Sequence, residues 1–156
     1  MISLLHYSND CEGVGVDLSK DALMVAKANA ERLSNNGISD KMNVNFVHSD
    51  LFENIDGNFD IIVSNPPYIP TAEIDTLQRE VKDHEPRLAL DGGADGLDIY
   101  RRIAGELGKY LKRGGMLIME VGEGEAQDVV KLFQGKYYTM IAKDFNGIER
   151  YVKIIF

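Results

Sequence analysis

Apolar and polar positions change period several times along the chain, and each change marks an element. In "GVGVDLS" (Gly13 to Ser19) a short apolar run closes on an acid and a serine suited to cap a helix, which predicts a strand, a turn and a helix. From Asp21 onward Leu23, Val25, Ala26, Ala30 and Leu33 recur at helical spacing until "SNNG" breaks the pattern, with Gly37 a natural stop. "MNVNFVHSD" alternates instead. It places Val44, Phe46 and His48 on one face and Asn45 and Val47 on the other, as in a strand that ends at Ser49 and Asp50.

"FDIIVSN" is a continuous apolar run of the kind expected for a strand buried on both faces. It stops at "SNPPYIP", where two adjacent prolines exclude further central-strand pairing. The polar segment Thr71 to Asp95 follows. It is longer than ordinary connections, and long ordered loops tend to carry function. Beyond it come a helix in "GLDIYRRIAGELGKYLK", a buried-type strand in "GGMLIMEVG", a helix in "EAQDVVKLF" and two strand-like runs, "YYTMIAKD" and "IERYVKIIF". A turn at Asn146 and Gly147 joins the last two as an antiparallel hairpin.

Alternating strands and helices followed by two successive strands predict an α/β fold, mostly parallel, with an antiparallel hairpin at one edge. In such sheets ligands bind beyond the carboxyl ends of the strands, where Asp17, Asp50, Asn65 and Gly122 fall. At 156 residues and 44% hydrophobic content the chain has the size of one domain with its own core. No run approaches the ~18 apolar residues of a membrane span, and a single cysteine, Cys11, forms no intrachain disulfide, so a cytoplasmic protein is expected. The net charge of −8 argues against broad adhesion to nucleic acid. His6, His48 and His84 do not cluster at metal spacing, so no metal site is expected.

Asp17 ends its strand with a carboxylate, which serves either to hold the two hydroxyls of a ribose or to cap the next helix. Asp50, ending the next strand, is placed to accept from an adenine amino group. Gly13 and Gly15 lie inside the first strand, where close packing of a helix over the sheet explains them better than phosphate binding. The acids Glu123, Glu125 and Asp128 suit the start of a helix, and Glu120 ends a strand. Asn65 offers a carbonyl acceptor and an amino donor, so it can pair with another planar amide. Pro66 and Pro67 supply rigid backbone carbonyls, and Tyr68 can lie on the face of the planar group. Such a pocket orients a weakly nucleophilic nitrogen toward an electrophile.

Asn65-Pro66-Pro67-Tyr68 resembles the signature of S-adenosylmethionine-dependent methyltransferases that modify planar NH₂ groups in DNA, RNA or glutamine side chains. Together with "VGVDLSKDALMVAKANAERL", "HSDLFE" and "EPRLALDGGADGLDIYRRI", the chain resembles the HemK/PrmC family, which methylates the Gly-Gly-Gln glutamine of peptide-chain release factors. The resemblance implies a Rossmann-like class I methyltransferase sheet. It further implies that Asp17 and Leu18 hold the cofactor ribose and flank its adenine, and that Asp50 and Leu51 meet the adenine edge. Asn65 and the Pro66 carbonyl would bind the glutamine amide and Tyr68 would pack on it, with Pro67 completing the catalytic signature and Asn65 also counted among the cofactor-binding residues.

Against that family pattern, the chain lacks the first central strand with its glycine-rich loop, and the amino-terminal release-factor-recognition domain. Residues 1–156 are therefore expected to be a single truncated catalytic domain, with "ISLLHYSNDCE" the tail of a helix and with exposed strand edges that favour self-association. Weakened cofactor binding, and inactivity of the chain by itself, follow from the same expectation. The alternatives are a nucleic-acid amino-group methyltransferase and a noncatalytic oligomerisation module.

Overall fold

The computed structural model describes Leu5, residues 11–35 and residues 43–156. The expectations for the rest of the first ten residues and for the stop at Gly37 lie outside the described residues. The chain forms two compact units, Met1–Asp56 and Gly57–Phe156.

In the first unit, strand β1 (Glu12–Asp17) leads into helix α1 (Lys20–Asn35), and strand β2 (Asn43–His48) pairs with β1 in parallel, Asp17 opposite His48. Ser19 caps α1: its Oγ accepts the N–H of Ala22 at 3.2 Å. Leu23, Ala26, Ala30 and Leu33 face inward at i, i+3, i+7 and i+10, the spacing of one helical stripe. Val25, expected on that face, is 61% exposed because it sits between the turns of the stripe. A side chain on Gly13 would meet Leu5 at 2.5 Å, so this glycine admits a close-packed neighbour over the strand, as its position in the sequence implied.

The second unit opens with β3 (Phe59–Ser64) and passes through a 3₁₀ turn (Ile74–Thr76) and two short helices, α2 (Arg79–Lys82) and α3 (Arg87–Leu90). Helix α4 (Asp98–Tyr110), β4 (Leu111–Glu120), α5 (Ala126–Phe133), β5 (Tyr138–Lys143) and β6 (Glu149–Ile155) complete it. The strand order is β3-β4-β6-β5, with β3 and β4 parallel and the two pairs made by β6 antiparallel. The expected edge hairpin is present. Asp144 closes it by accepting the N–H groups of Asn146 (2.8 Å) and Ile148 (3.0 Å), while Gly147 adopts φ +82°.

Leu117 and Met119 of β4 and Val152 and Ile154 of β6 point to one buried face, where Tyr100, Ile103 and Leu107 of α4 and Val129 and Phe133 of α5 cover them. The opposite face is more open. Ile61 is 60% and Val63 41% exposed, so β3 is not buried on both faces as its apolar run implied; it is the edge strand of its sheet, and those two side chains alternate away from the helical layer. Within each unit the outer edge of β1 and of β3 has no partner among the described strands. Among the described residues no helix is long and apolar enough to cross a membrane.

Phe133 is fully buried and meets Tyr137 edge-on with ring centroids 6.1 Å apart. Phe133→Ala is expected to cost about 3–5 kcal/mol. The loss should show as a lower denaturant midpoint with an unchanged slope.

Candidate functional site

The segment after β3 leaves the sheet at Asn65 yet is held as firmly as a strand. Ile69 donates to the Leu90 carbonyl at 3.0 Å and accepts from the Gly92 N–H at 2.9 Å, an isolated parallel bridge that ties the proline-rich turn to the end of α3. Thr71 N–H donates to the Gly93 carbonyl (2.8 Å), and the Thr71 hydroxyl donates to Asp91 Oδ1 (2.6 Å). The prolines contribute fixed φ angles and no N–H to satisfy.

Three glycines allow this arrangement. A β-carbon on Gly92 would lie 2.8 Å from both Cα and the carbonyl carbon of Tyr68, and 2.7 Å from the Gly96 carbonyl oxygen. One on Gly96, at φ +79°, would collide with the Tyr68 carbonyl oxygen, and one on Gly122 would lie 3.0 Å from Tyr68 Cδ2. Glu125 fills the space between them. Its carboxylate accepts the Gly122 N–H at 3.1 Å, and burial, followed by repulsion from Asp95 and Asp128, pushes its pKa up against the lowering effect of that bond. Arg101 anchors the glycine loop from outside, donating to Asp95 (2.8 Å) and Asp98 (3.0 Å) and holding the Asp95 carboxyl down at about 2, chiefly by its hydrogen bond.

Asn65, Pro66, Pro67, Tyr68, Ile69, Glu85, Ala89 and Leu90 line a cavity of about 100 Å³. Pro66 is buried, Pro67 and Tyr68 are half-buried, and Asn65 is exposed. Among the described residues the Asn65 side-chain amide makes no hydrogen bond within the protein, so both its donor and its acceptor remain available. Burial raises the Tyr68 phenol pKa, assisted first by Glu120 and more weakly by Glu125 and Glu85, with Arg150 opposing. The neutral phenol is thus favoured. Fully buried Tyr100 donates its hydroxyl to the Glu120 carbonyl at 2.8 Å, fixing the end of β4, whose Met119 lies opposite Ser64 of β3.

The first unit brings together the other predicted residues. Because Asp17 pairs with His48, the turns carrying Leu18 and Asp50 leave neighbouring strands at the same end of the sheet. Asp17 Oδ1 accepts the Ser19 N–H at 2.7 Å, a tight turn that orients Ser19, the residue that caps α1, and the carboxylate keeps further acceptor sites for a ligand. His48 Nε2 lies 2.9 Å from the Leu18 carbonyl. Buried Ser49 donates to the Leu51 carbonyl (3.1 Å) and accepts the Asn54 N–H (2.9 Å), and the Asn54 side chain donates to the His48 carbonyl (3.1 Å). This network holds Leu51 at φ +50°, the one non-glycine residue at positive φ among those described. Such a conformation costs about 1–3 kcal/mol and persists where its surroundings enforce it, commonly at ligand sites. Among the described residues no group of three or more His, Cys, Asp or Glu side chains is placed to hold a metal ion.

Of the residues around Tyr68, only Gly122 stands out individually in the sequence, by its place at a strand end; Glu85, Ala89, Leu90, Gly92 and Gly96 lie in the stretch "EPRLALDGGADGLDIYRRI" without individual signals. A glycine-rich run directly after a long loop was the available signal.

Residues 1–94 match the model of the family described as methyltransferase small domain. The chain is 46% identical over 142 residues to a Geobacter sulfurreducens protein named release factor glutamine methyltransferase, covering 89% of this chain and 48% of that one. It is 41% identical over 151 residues to the Agrobacterium fabrum protein of the same name, covering 96% and 50%. The chain thus spans about half the length of these curated relatives. A Pyrococcus furiosus methyltransferase shares its fold with TM-score 0.66 at 15% identity, over 97% of this chain and 66% of that one. The release-factor-specific protein-(glutamine-N5) methyltransferase of Alicyclobacillus acidocaldarius does so with TM-score 0.51 at 22% identity, over 98% and 85%.

Gly92→Ala is expected to lower stability by about 1–3 kcal/mol, as overpacking against backbone does, and to shift the Tyr68 ring resonances. Gly105→Ala, in α4 with open space around its α-carbon, should instead stabilise by about 0.5–1 kcal/mol and leave Tyr68 unmoved. Equal effects of the two substitutions in denaturation and NMR would contradict the close approach.

Proposed function

Because the chain belongs to the methyltransferase small domain family, we propose that the protein carrying it methylates the side-chain amide nitrogen of a glutamine, at the Gly-Gly-Gln motif of peptide-chain release factors, with S-adenosylmethionine as donor. The observation that carries this reading is the exposed Asn65 amide, unpartnered among the described residues, at the rim of a small cavity of otherwise rigid backbone. A primary amide is the group an unpaired amide matches best, donor to acceptor and acceptor to donor. The names of the relatives, release factor glutamine methyltransferase, support the same substrate.

Asn65 Oδ1 would accept one proton of the target NH₂ and the Pro66 carbonyl the other, so the nitrogen cannot rotate. Tyr68, neutral and half-buried, would lie on the amide face and exclude water. This orientation is the protein's main contribution, because an amide nitrogen is a poor nucleophile and gains most from being held in line with its electrophile. When bound, S-adenosylmethionine supplies a methyl group already activated on a sulfonium, so no base is needed to start the transfer. The residues of the first unit fit the nucleoside end of that cofactor: Asp17 retains acceptor sites for the ribose hydroxyls, and Asp50 is held at the adjacent strand end by the Ser49–Asn54 network. Leu18, 43% exposed, and Leu51 offer apolar surface for the adenine. Residues 1–156 would act as one catalytic domain, and the unpaired edges of β1 and β3 would favour self-association of the isolated chain.

The test is transfer of labelled methyl from S-adenosylmethionine to a bacterial release factor by the purified polypeptide carrying residues 1–156. Label should appear on the glutamine side chain, and Asn65→Ala should reduce the rate by about 100-fold, the cost of losing nucleophile orientation. Label in RNA or DNA instead, or a rate indifferent to Asn65, would overturn the assignment.

A further inference from the structure

Resting on the amide-binding reading of the cavity, we infer that Glu85 is a specificity residue that admits a neutral primary amide and turns away the corresponding carboxylate. Among the described residues, Glu85 is the one charged side chain lining the cavity, and no lysine or arginine shares that lining. Its carboxylate is exposed and, among the described residues, has no ion-pair or hydrogen-bond partner. The backbone explains its placement. The Glu85 N–H donates to the Val81 carbonyl at 2.9 Å, closing the end of α2, and Pro86 then starts α3 at φ −58°. A residue before proline is confined to extended backbone, so Glu85 is a fixed corner between two short helices.

Asn65 alone cannot make this distinction. Among the described residues its side chain has no hydrogen-bond partner, and turning it over exchanges Oδ1 for Nδ2. In one orientation it pairs with an amide NH₂, in the other it donates to a carboxylate oxygen. Glutamine and glutamate are nearly the same size and shape, so the cavity walls of proline, alanine and leucine do not separate them either. An ionised carboxylate at Glu85 has no such ambivalence: it only accepts, and it repels a second negative charge. Deamidation turns glutamine into glutamate, so a deamidated substrate is the competitor this charge excludes.

The experiment titrates the chain with two capped peptides, Gly-Gly-Gln and Gly-Gly-Glu, by NMR or calorimetry, using wild type, Glu85→Gln and Asn65→Ala. Wild type should prefer the glutamine peptide by tenfold or more, and Glu85→Gln should reduce that preference about tenfold by tightening glutamate binding, the size expected for a partly screened charge pair. Raising salt to about 1 M should bring wild type toward the variant, which a merely structural role for Glu85 would not do. An unchanged preference in Glu85→Gln, with Asn65→Ala still abolishing glutamine-peptide binding, overturns the Glu85 inference alone. Glutamine-peptide binding that ignores Asn65→Ala overturns the amide-site reading, and no binding of either peptide to wild type overturns both.

Discussion

The backbone of Tyr68 passes so close to two other loops that no side chain fits between them, and the candidate amide site depends on that approach. Gly92 and Gly96 lie against its Cα and carbonyl, Gly122 lies against its ring, and the Ile69 bridge to Leu90 and Gly92 locks the contact with two hydrogen bonds. The turn therefore gains the rigidity of a strand without being one. From that rigidity follow the exposed amide of Asn65, the fixed Pro66 carbonyl and the half-buried ring of Tyr68. Glu125 and Arg101 hold the surrounding loops from two sides, one partly buried and one at the surface.

A proline-rich turn alone would not achieve this. Two prolines fix their own φ angles and hold Asn65 and Pro66 extended, but they leave the backbone from the ψ of Pro67 onward unconstrained, so Tyr68 and the residues after it would sample several directions in solution. The long connection from Thr71 to Asp95 supplies what is missing. Its length is spent on a 3₁₀ turn and two four-residue helices that bring Leu90, Gly92 and Glu85 back to the segment they must contact. A loop of this kind is positioned by tertiary contacts and not by its own propensity.

Strand and helix positions were legible because each carries a period that one stripe or face of burial enforces. Tyr100, Ile103 and Leu107 of α4, and Leu117 and Met119 of β4, follow those periods into the core. The short helices were not legible, since four residues hold barely one turn and show no periodicity. The exposure of Ile61 and Val63 was hidden for another reason: an apolar run reports what a strand can bury, not which layer covers it. At the site, Asn65 to Tyr68 could be found because they are contiguous and their chemistry converges. Gly122 could be placed at a strand end but not against the Tyr68 ring, and Glu85, Gly92 and Gly96 could not be assigned roles, because their importance lies in distances to Tyr68 and to the cavity that sequence order does not contain.

The proposed chemistry stands on the Asn65 amide being an open receptor for another primary amide. Its side-chain NH₂ can be observed directly by ¹⁵N NMR, separately from any turnover, while a small primary amide such as acetamide or a glutamine-containing peptide is added. An amide receptor at Asn65 should give a saturable shift of the Asn65 resonance together with the Tyr68 ring, several-fold weaker in affinity when the added molecule is the matching N,N-dimethylamide, which keeps its carbonyl but has no N–H to donate. An Asn65 resonance that stays fixed at saturating amide, or that moves equally with the dimethylated compound, would contradict it.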